Sequence, residues 1–412
     1  MRVTTFVRKL LGVKELVVER VEIDAEKKRT IVVEVRPRWR RPRCSGCGAR
    51  APQYDALPAR RWRHLPFEGW SIDLRYGPRR VQCGRCGIGA EQVPWAVGSL
   101  TRFSEALEEM AAYLATVADR TTVTRLLGIH WRSVGSIIER VVARRLDPDR
   151  LDGIRWIGVD EFGYRKRHRY LTLVVDHERR RVVWAVKGRG HEALGSFLDA
   201  LGAERLAKLE NATIDMAGGY IKAFRERAPH VEIVFDRFHV QRLASDALDE
   251  VRRSLVRTEE DRETARAIKG TRYALQRNPW NLSRTEKEKL SGVQQRNAPL
   301  YRAYLLKETL AQVLDYKQPK RARDAMDDWL AWASRSKLAP FVKTARTIRE
   351  HKEGILAYIR LRLTNGLVEG INNRIRVIAR RAYGFHSAEA LIAMIFLGCG
   401  GIQLNPTLPK PT

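Results

Sequence analysis

Apolar and charged residues alternate over 16–23 and again over 31–36, on either side of the polar stretch Asp24 to Arg29. A period of two flanking a polar turn predicts a β-hairpin. From Thr101 the period lengthens: Phe103, Leu107, Met110 and Leu114 mark one helix, Val123–Leu127 a short second one, and Trp131–Val142 a third. Gly128 between the last two supplies a turn, which gives the outline of a helix-turn-helix. From Arg155 strands return, as Trp156–Val159, Tyr170–Val175 and Arg181–Val186, joined by polar turns. A helix around His191–Leu209, a strand Ala212–Ile214, a helix Tyr220–Arg227 and a strand Val231–Phe235 follow.

Three antiparallel strands followed by alternating helix and strand is the order of a ribonuclease-H-like α/β sheet. Residues 240–364 are charged and mainly helical in pattern. A stretch of that length is too long for a loop, so it predicts an inserted helical unit. Beyond it Val368, Ile371, Ile375, Ile378 and Ala382 recur in steps of three and four, one apolar stripe of a helix. Glu369, Asn373, Arg376 and Arg380 then line an adjacent polar face. Asn365 stands where it can cap this helix, and an acid in the first turn complements the helix dipole. The tail from Asn405 to Thr412 is rich in proline and reads as disordered.

With 412 residues, 44% of them apolar, the chain has material for two to four domains with real cores. A formal charge of +29 points to a polyanionic partner, either nucleic acid or an anionic membrane. The longest apolar run, Ala390 to Ile402, is too short to span a bilayer. The opening residues, Met-Arg-Val-Thr-Thr-Phe-Val-Arg, lack the apolar core of a signal peptide. The expectation is therefore a cytoplasmic protein acting on DNA or RNA, with no membrane partner.

Four of the five cysteines form two Cys-x-x-Cys pairs, Cys44/Cys47 and Cys83/Cys86. Each pair brings two thiolates to one ion, and four sulfurs suit tetrahedral Zn²⁺. With every position taken by sulfur, such a zinc is structural. Two pairs, outside any thioredoxin-like context, also argue against a redox dithiol. Cys399, alone in the apolar C-terminal segment, reads as a buried inert thiol. In the helix-turn-helix, Arg125, His130, Trp131, Arg132 and Ser136 are the candidate DNA-reading residues.

Asp160 follows the strand Trp156-Ile-Gly-Val159, and Asp215 follows Ala212-Thr-Ile214. Acids at the carboxyl ends of neighbouring strands face one crevice and repel unless a cation lies between them, which favours Mg²⁺ or Mn²⁺ held by oxygen. Asp236, after Val231-Glu-Ile-Val-Phe235, rivals Asp215 for that place, and spacing does not separate the two. Glu161 alternates to the opposite face from Asp160.

These residues carry a resemblance. Gly158-Val-Asp-Glu-Phe162 is followed by Arg165-Lys-Arg-His-Arg-Tyr170, then by Ile214-Asp-Met216 with Tyr220-Ile-Lys222, and by Phe235-Asp-Arg-Phe-His-Val240. Most specific are Thr364-Asn-Gly-Leu-Val-Glu-Gly-Ile-Asn-Asn373 and Arg380-Arg-Ala-Tyr-Gly-Phe385. With the cysteine pairs, the chain resembles, nearly end to end, bacterial insertion-sequence transposases of the ISL-three family, within the DDE class. The resemblance implies Asp160, Asp215 and Glu369 as the catalytic triad, with an all-helical insertion before the Glu. It places Asp236 and His239 in a separate auxiliary motif with a structural or DNA-orienting role.

The expected organisation is thus a β-hairpin and zinc module over 1–98, a helix-turn-helix domain over 99–150, and a ribonuclease-H-like core begun over 151–239. The helical insertion over 240–364, the closing core helices over 365–404 and the tail 405–412 complete it. The expected chemistry is in-line phosphodiester cleavage and strand transfer with two Mg²⁺ ions at the triad. The partners are double-stranded DNA, as terminal inverted repeats and target, and further copies of the chain in a dimer or higher multimer on the nucleoid. Asn373, Arg376, Arg380 and Arg381 are candidate phosphate contacts. Trp329 and Trp332 fit core packing better than base stacking. Two other classes fit parts of the pattern: a non-catalytic zinc and helix-turn-helix regulator, and a ribonuclease-H-like nuclease that cuts without joining.

Overall fold

The N-terminal hairpin forms over the anticipated residues: β1 (Leu16–Ile23) pairs antiparallel with β2 (Thr30–Pro37), after a short helix α1 (Val3–Leu11). The computed structural model describes residues 2–24, 26, 29–98, 101–165 and 169–407. Lys166, Arg167 and His168 of the basic stretch, and residues 408–412 of the tail, lie outside the described residues. The chain divides into two units, one of Met1–Asp147 with Ile375–Thr412, the other of Pro148–Arg374.

In the first unit, β3 (Gln53–Ala56), β4 (Arg60–Phe67) and β5 (Trp70–Tyr76) fill the long spacer between the cysteine pairs. β5 pairs parallel to β2 and antiparallel to β4, which closes a sheet of order β1-β2-β5-β4. Trp62, Leu74 and Trp95 are fully buried against it, and the Trp62 and Trp95 rings meet edge to face at 5.6 Å. β6 (Arg79–Cys83) and β7 (Gly87–Ala90) join β3 in a second, three-stranded sheet. Glu91, buried beside it, is compensated by the Arg79 guanidinium at 2.7 Å and the Tyr76 hydroxyl at 2.6 Å.

The helix-turn-helix outline is realised as α2 (Glu105–Val117), α3 (Arg120–Leu127) and α4 (Trp131–Arg145). Ser104, Asp119 and His130 cap the three N-termini through their side chains. Gly128 ends α3 at φ +60°, a conformation that favours glycine and sets the turn into α4. Phe103 lies just ahead of α2 rather than on it, because Ser104 takes the cap.

Ser104 also meets buried His64 of β4, whose Nδ1 is 2.8 Å from the hydroxyl. Burial lowers the His64 pKa to about 4. A neutral imidazole stabilises the fold fully above its ordinary value of about 6.5, and that contribution is lost as pH falls from there toward 4. The loss is on the order of 3 kcal/mol. Protection factors of the β4 and β5 amides, each referred to the intrinsic exchange rate at that pH, are therefore expected to fall between pH 6.5 and 4, and His64→Phe to flatten that dependence. An unchanged pH profile in the variant refutes it.

The second unit is built on β8 (Trp156–Arg165), β9 (Arg169–Asp176), β10 (Arg181–Lys187), α5 (His191–Leu206), β11 (Asn211–Ile214), α6 (Gly218–Arg227) and β12 (Glu232–Phe235). The sheet order is β10-β9-β8-β11-β12, with β8 to β10 antiparallel and β8, β11 and β12 parallel. Strand β8 runs six residues past Val159, because its hairpin with β9 continues to Arg165 after the pairing with β11 has ended at Gly158. Asp160 therefore lies two residues beyond the parallel portion of β8 and inside the strand, not at its end.

Residues after β12 are helical, as the pattern predicts. They form α7 (Arg237–Thr258), α8 (Arg262–Lys269), α9 (Arg272–Gln276), α10 (Arg284–Arg296), α11 (Ala298–Asp315), α12 (Pro319–Arg335), α13 (Ala339–Glu350) and α14 (Lys352–Leu361). Trp329 is core, with its indole N–H donating to the Leu306 carbonyl at 2.8 Å, and Trp332 packs against the same cluster. α15 (Gly366–Arg381) begins in the second unit and ends in the first, where α16 (Ala388–Cys399) packs on α4. Cys399 is buried. Among the described residues no helix is long and apolar enough to cross a membrane.

Candidate active site and metal centre

Parallel pairing places the acids. Thr213 is in register with Gly158, and Ile214 with Phe235. Two residues on from the first pair, Asp215 and Asp160 come level. One residue on from the second, Asp215 and Asp236 do. Asp160, Asp215 and Asp236 thus come level on three neighbouring strands, Asp215 and Asp236 just past the ends of β11 and β12 and Asp160 within β8 beyond its parallel pairing, where an open parallel sheet leaves a crevice. Their fields converge on His239, whose pKa is raised first by its bond to Asp236, and then by the charges of Asp215, Asp236 and Asp160.

Each acid is held differently. One Asp160 oxygen accepts from the Glu161 backbone N–H at 2.7 Å, and the other from the Asn372 amide at 2.7 Å. Asp215 accepts from the Ala217 N–H at 3.0 Å, a turn that begins the lead into α6. Asp236 is 2% exposed, caps α7 through the Phe238 N–H, accepts from the Asn365 N–H at 3.2 Å and lies 3.4 Å from His239 Nδ1. It therefore ties the start of α7 to the segment that leads into α15. Glu161 lies 3.9 Å from Arg189 and beside Tyr220; burial first, then the charge of Asp215, and also that of Asp160 raise its pKa.

Glu369 stands exposed in the first turn of α15. Its N–H bonds the Asn365 carbonyl at 2.9 Å, so Asn365 occupies the cap position. The Asn365 side chain, however, accepts from the Thr213 hydroxyl at 2.7 Å, and His177 Nε2 lies 2.8 Å from that hydroxyl. Local spacing showed a cap; only the sheet could show that its amide is turned to β11. Neither Asn372 nor Thr213 was identified from sequence. The one signal the sequence carries is that Asn372 sits at the edge of the apolar stripe; its burial there is seen only in the structure.

Gly158 fixes how closely α15 approaches. A Cβ at this position would overlap the Val368 Cγ2 and stand 2.9 Å from His177 Nε2 and 3.0 Å from Thr213 Oγ1. Gly158→Ala is expected to cost about 1–3 kcal/mol of overpacking. By displacing the helix next to Glu369 it should also lower strand cleavage by about 10²-fold. Thermal melts and cleavage rates check this, and Gly158→Ala/Val368→Ala should recover most of the loss. Wild-type cleavage in the single variant refutes it.

Of the other candidates, Arg125, His130, Trp131, Arg132 and Ser136 are all exposed on α3, at the turn and on α4. His130 is also the cap of α4, and the Arg120 guanidinium lies over the Trp131 ring at 4.3 Å. Asn373, Arg376 and Arg380 are exposed on α15. Arg381 is half-buried and donates to the Thr116 carbonyl at 2.8 Å, which ends α2.

The cysteine pairs close into one cluster. The ligand sulfurs of Cys44, Cys47, Cys83 and Cys86 lie within 4.8 Å of one another, and Cys47 and Cys83 are 3.5 Å apart. Cys83 ends β6 and Gly87 opens β7, so the second pair is the hairpin turn itself; the first is a tight loop bonded from Cys44 N to the Ala49 carbonyl. N–H groups of Arg85 and Cys86 lower the Cys83 pKa to about 7, while the neighbouring thiols push that of Cys86 up to about 12. Ionised together, four thiolates so close would repel, so the cluster could hold a metal ion that draws off their protons. Among the described residues this is the one group of three or more potential ligands gathered so tightly; Asp160, Asp215 and Glu369 are more widely spread.

Acids brought level at the carboxyl side of a parallel sheet are of the kind that can hold a divalent ion for phosphodiester chemistry. Residues 157–395 match a family model described as transposase, and the chain belongs to this ISL-three family of DDE transposases. It is 38% identical over 440 residues to the transposase for insertion sequence element IS1557 of Mycobacterium tuberculosis, covering 99% of this chain and 98% of that one. It is 33% identical over 376 residues to the transposase for insertion sequence element IS1001 of Bordetella parapertussis, covering 90% and 92%. The protein is therefore an enzyme, a DNA transposase, and not a non-catalytic regulator.

Proposed function

We propose that Asp160, Asp215 and Glu369 are the catalytic carboxylates of this transposase, on a ribonuclease-H-like sheet interrupted by the helices α7 to α14. The observation that carries this reading is the packing of Val368 on Gly158, which sets the helix of Glu369 across the strand of Asp160. The donor set fits a divalent ion. It consists of carboxylate oxygens from two adjacent strands and from the first turn of α15, with the buried Asn372 amide oxygen unpaired beside Asp160 among the described residues. Mg²⁺ or Mn²⁺ bound there would neutralise the phosphate charge and lower the pKa of a nucleophilic water or 3′-OH. The chain's own residues hold the carboxylates apart and aim them. Glu161 N–H and Asn372 orient Asp160, the Ala217 N–H orients Asp215, and Asp236 and Thr213 anchor the entry to α15.

The exposed residues of α3 and α4 would read the terminal inverted repeats from the major groove, with Arg376 and Arg380 on backbone phosphates. Zn²⁺ in the four-sulfur cluster would be structural, because sulfur fills every position. Two element ends must be held together for joining, so the working form would be a dimer or higher multimer, in the cytoplasm on the nucleoid. Strand transfer with labelled element ends tests the reading. Products should require Mg²⁺ or Mn²⁺ and carry a joined 3′ end. Cleavage without joining would favour a nuclease instead.

A further inference from the structure

We propose that Asn372 is a positioning residue of the catalytic centre, whose amide nitrogen fixes Asp160 and whose amide oxygen receives a water bound to the divalent ion. The proposal rests on the reading of Asp160, Asp215 and Glu369 as the ion's ligands. Asn372 is 3% exposed, and its Nδ2 donates to Asp160 Oδ2 at 2.7 Å. Its Oδ1 is buried with no hydrogen-bond partner among the described residues. Rotating the amide would not relieve this, because the oxygen would then face the Asp160 carboxylate. A buried unpaired carbonyl costs about 1–3 kcal/mol.

Packing alone gives no reason to accept that cost. Asn372 adjoins the apolar stripe of Val368, Ile371 and Ile375, all buried, where a leucine would fill the same space. The orphan oxygen is two bonds from the nitrogen that touches Asp160, so it lies next to the proposed ligand. Mg²⁺ and Mn²⁺ in carboxylate sites keep part of their water shell, and those waters donate outward. A carbonyl without another donor is ready to accept one. Asn372 also lies three residues beyond Glu369, roughly one turn along the same helix. Its bond to Asp160 therefore fixes the separation between the two carboxylates. Partners of this kind, one shell out from an ion, are worth about 10–100-fold in its affinity.

The test is Mn²⁺ titration followed by electron paramagnetic resonance, on the full chain bound to a pre-cleaved element-end duplex. Asn372→Leu, with melting temperature unchanged, is expected to bind Mn²⁺ about 10–100-fold more weakly. Wild-type affinity in that variant overturns the proposal. Asp160→Asn, measured alongside, reports on the triad itself: if it also binds Mn²⁺ normally, the underlying assignment has failed rather than the role of Asn372. Should the leucine variant not fold, isosteric Asn372→Asp decides the donor role, because its ionised carboxylate has no N–H for Asp160. Cleavage reduced about tenfold or more supports the proposal, as expected for a lost outer-shell partner, and wild-type cleavage overturns it.

Discussion

Asp160→Asn and Glu369→Gln are each expected to lower both strand cleavage and strand transfer by about 10³-fold or more. Each change keeps the side chain's shape and removes one negative charge from the proposed ligand set. Ligated metal supplies several kcal/mol of transition-state stabilisation, and every 1.4 kcal/mol or so lost is a factor of about ten. The two variants should nevertheless differ in stability. Asp160 is partly buried and accepts from Glu161 N–H and Asn372, so its amide would set an N–H against one of those donors. Glu369 is exposed, and Glu369→Gln should melt with the wild type. DNA affinity should change little in either, because it comes from the chain's 77 lysines and arginines and is set by salt. Joined products persisting in either variant at wild-type levels would sink the triad assignment.

Removing metal from the four-sulfur cluster is expected to unfold the sheet β3-β6-β7. The reason is the size of its core, which consists of Cys44, Ala51, Val81 and Cys83. So small an apolar cluster cannot offset the entropy of ordering three strands, and two of its members are the ligands themselves. Zinc binding in comparable small modules is worth about 10–16 kcal/mol, so metal and fold should be lost together. The sheet β1-β2-β5-β4 has its own core of Trp62, Leu74 and Trp95, and should retain amide protection. Chelation or Cys83→Ser, followed by hydrogen exchange, separates the two sheets. Metal analysis should find one Zn per chain; a value well below one, in protein with β3, β6 and β7 intact, defeats the claim.

Much of the fold was legible because it is written in local periodicity. The hairpin over β1 and β2, the turn at Gly128 and the helices of the insertion each follow from short-range pattern, turn residues and caps. The cysteine pairs were legible for a related reason: a Cys-x-x-Cys turn delivers two ligands whatever the rest of the chain does. The parallel pairing of β2 with β5 was not legible, since 32 residues lie between Pro37 and Trp70 and no turn chemistry records which distant strand lies beside which. Nor was the length of β8, which depends on its two partners ending at different residues.

The sequence by itself determined the kind of chemistry: which acids accompany which strands, where the sulfurs come in pairs, and that a chain this basic meets a polyanion, with DNA singled out by the resemblance. Sequence resemblance added the choice of Asp215 over Asp236, which spacing had left open. Only the tertiary structure decided how these residues are held. The register of β8, β11 and β12 aligns Asp160, Asp215 and Asp236, and burial turns Asp236 into the anchor of Asn365. It also sets Val368 against Gly158 and the Asn372 amide on Asp160. Those contacts span 210 residues between Gly158 and Val368, and 212 between Asp160 and Asn372. Local propensity acts over a few residues, so contacts this distant come only from burial of one element against another.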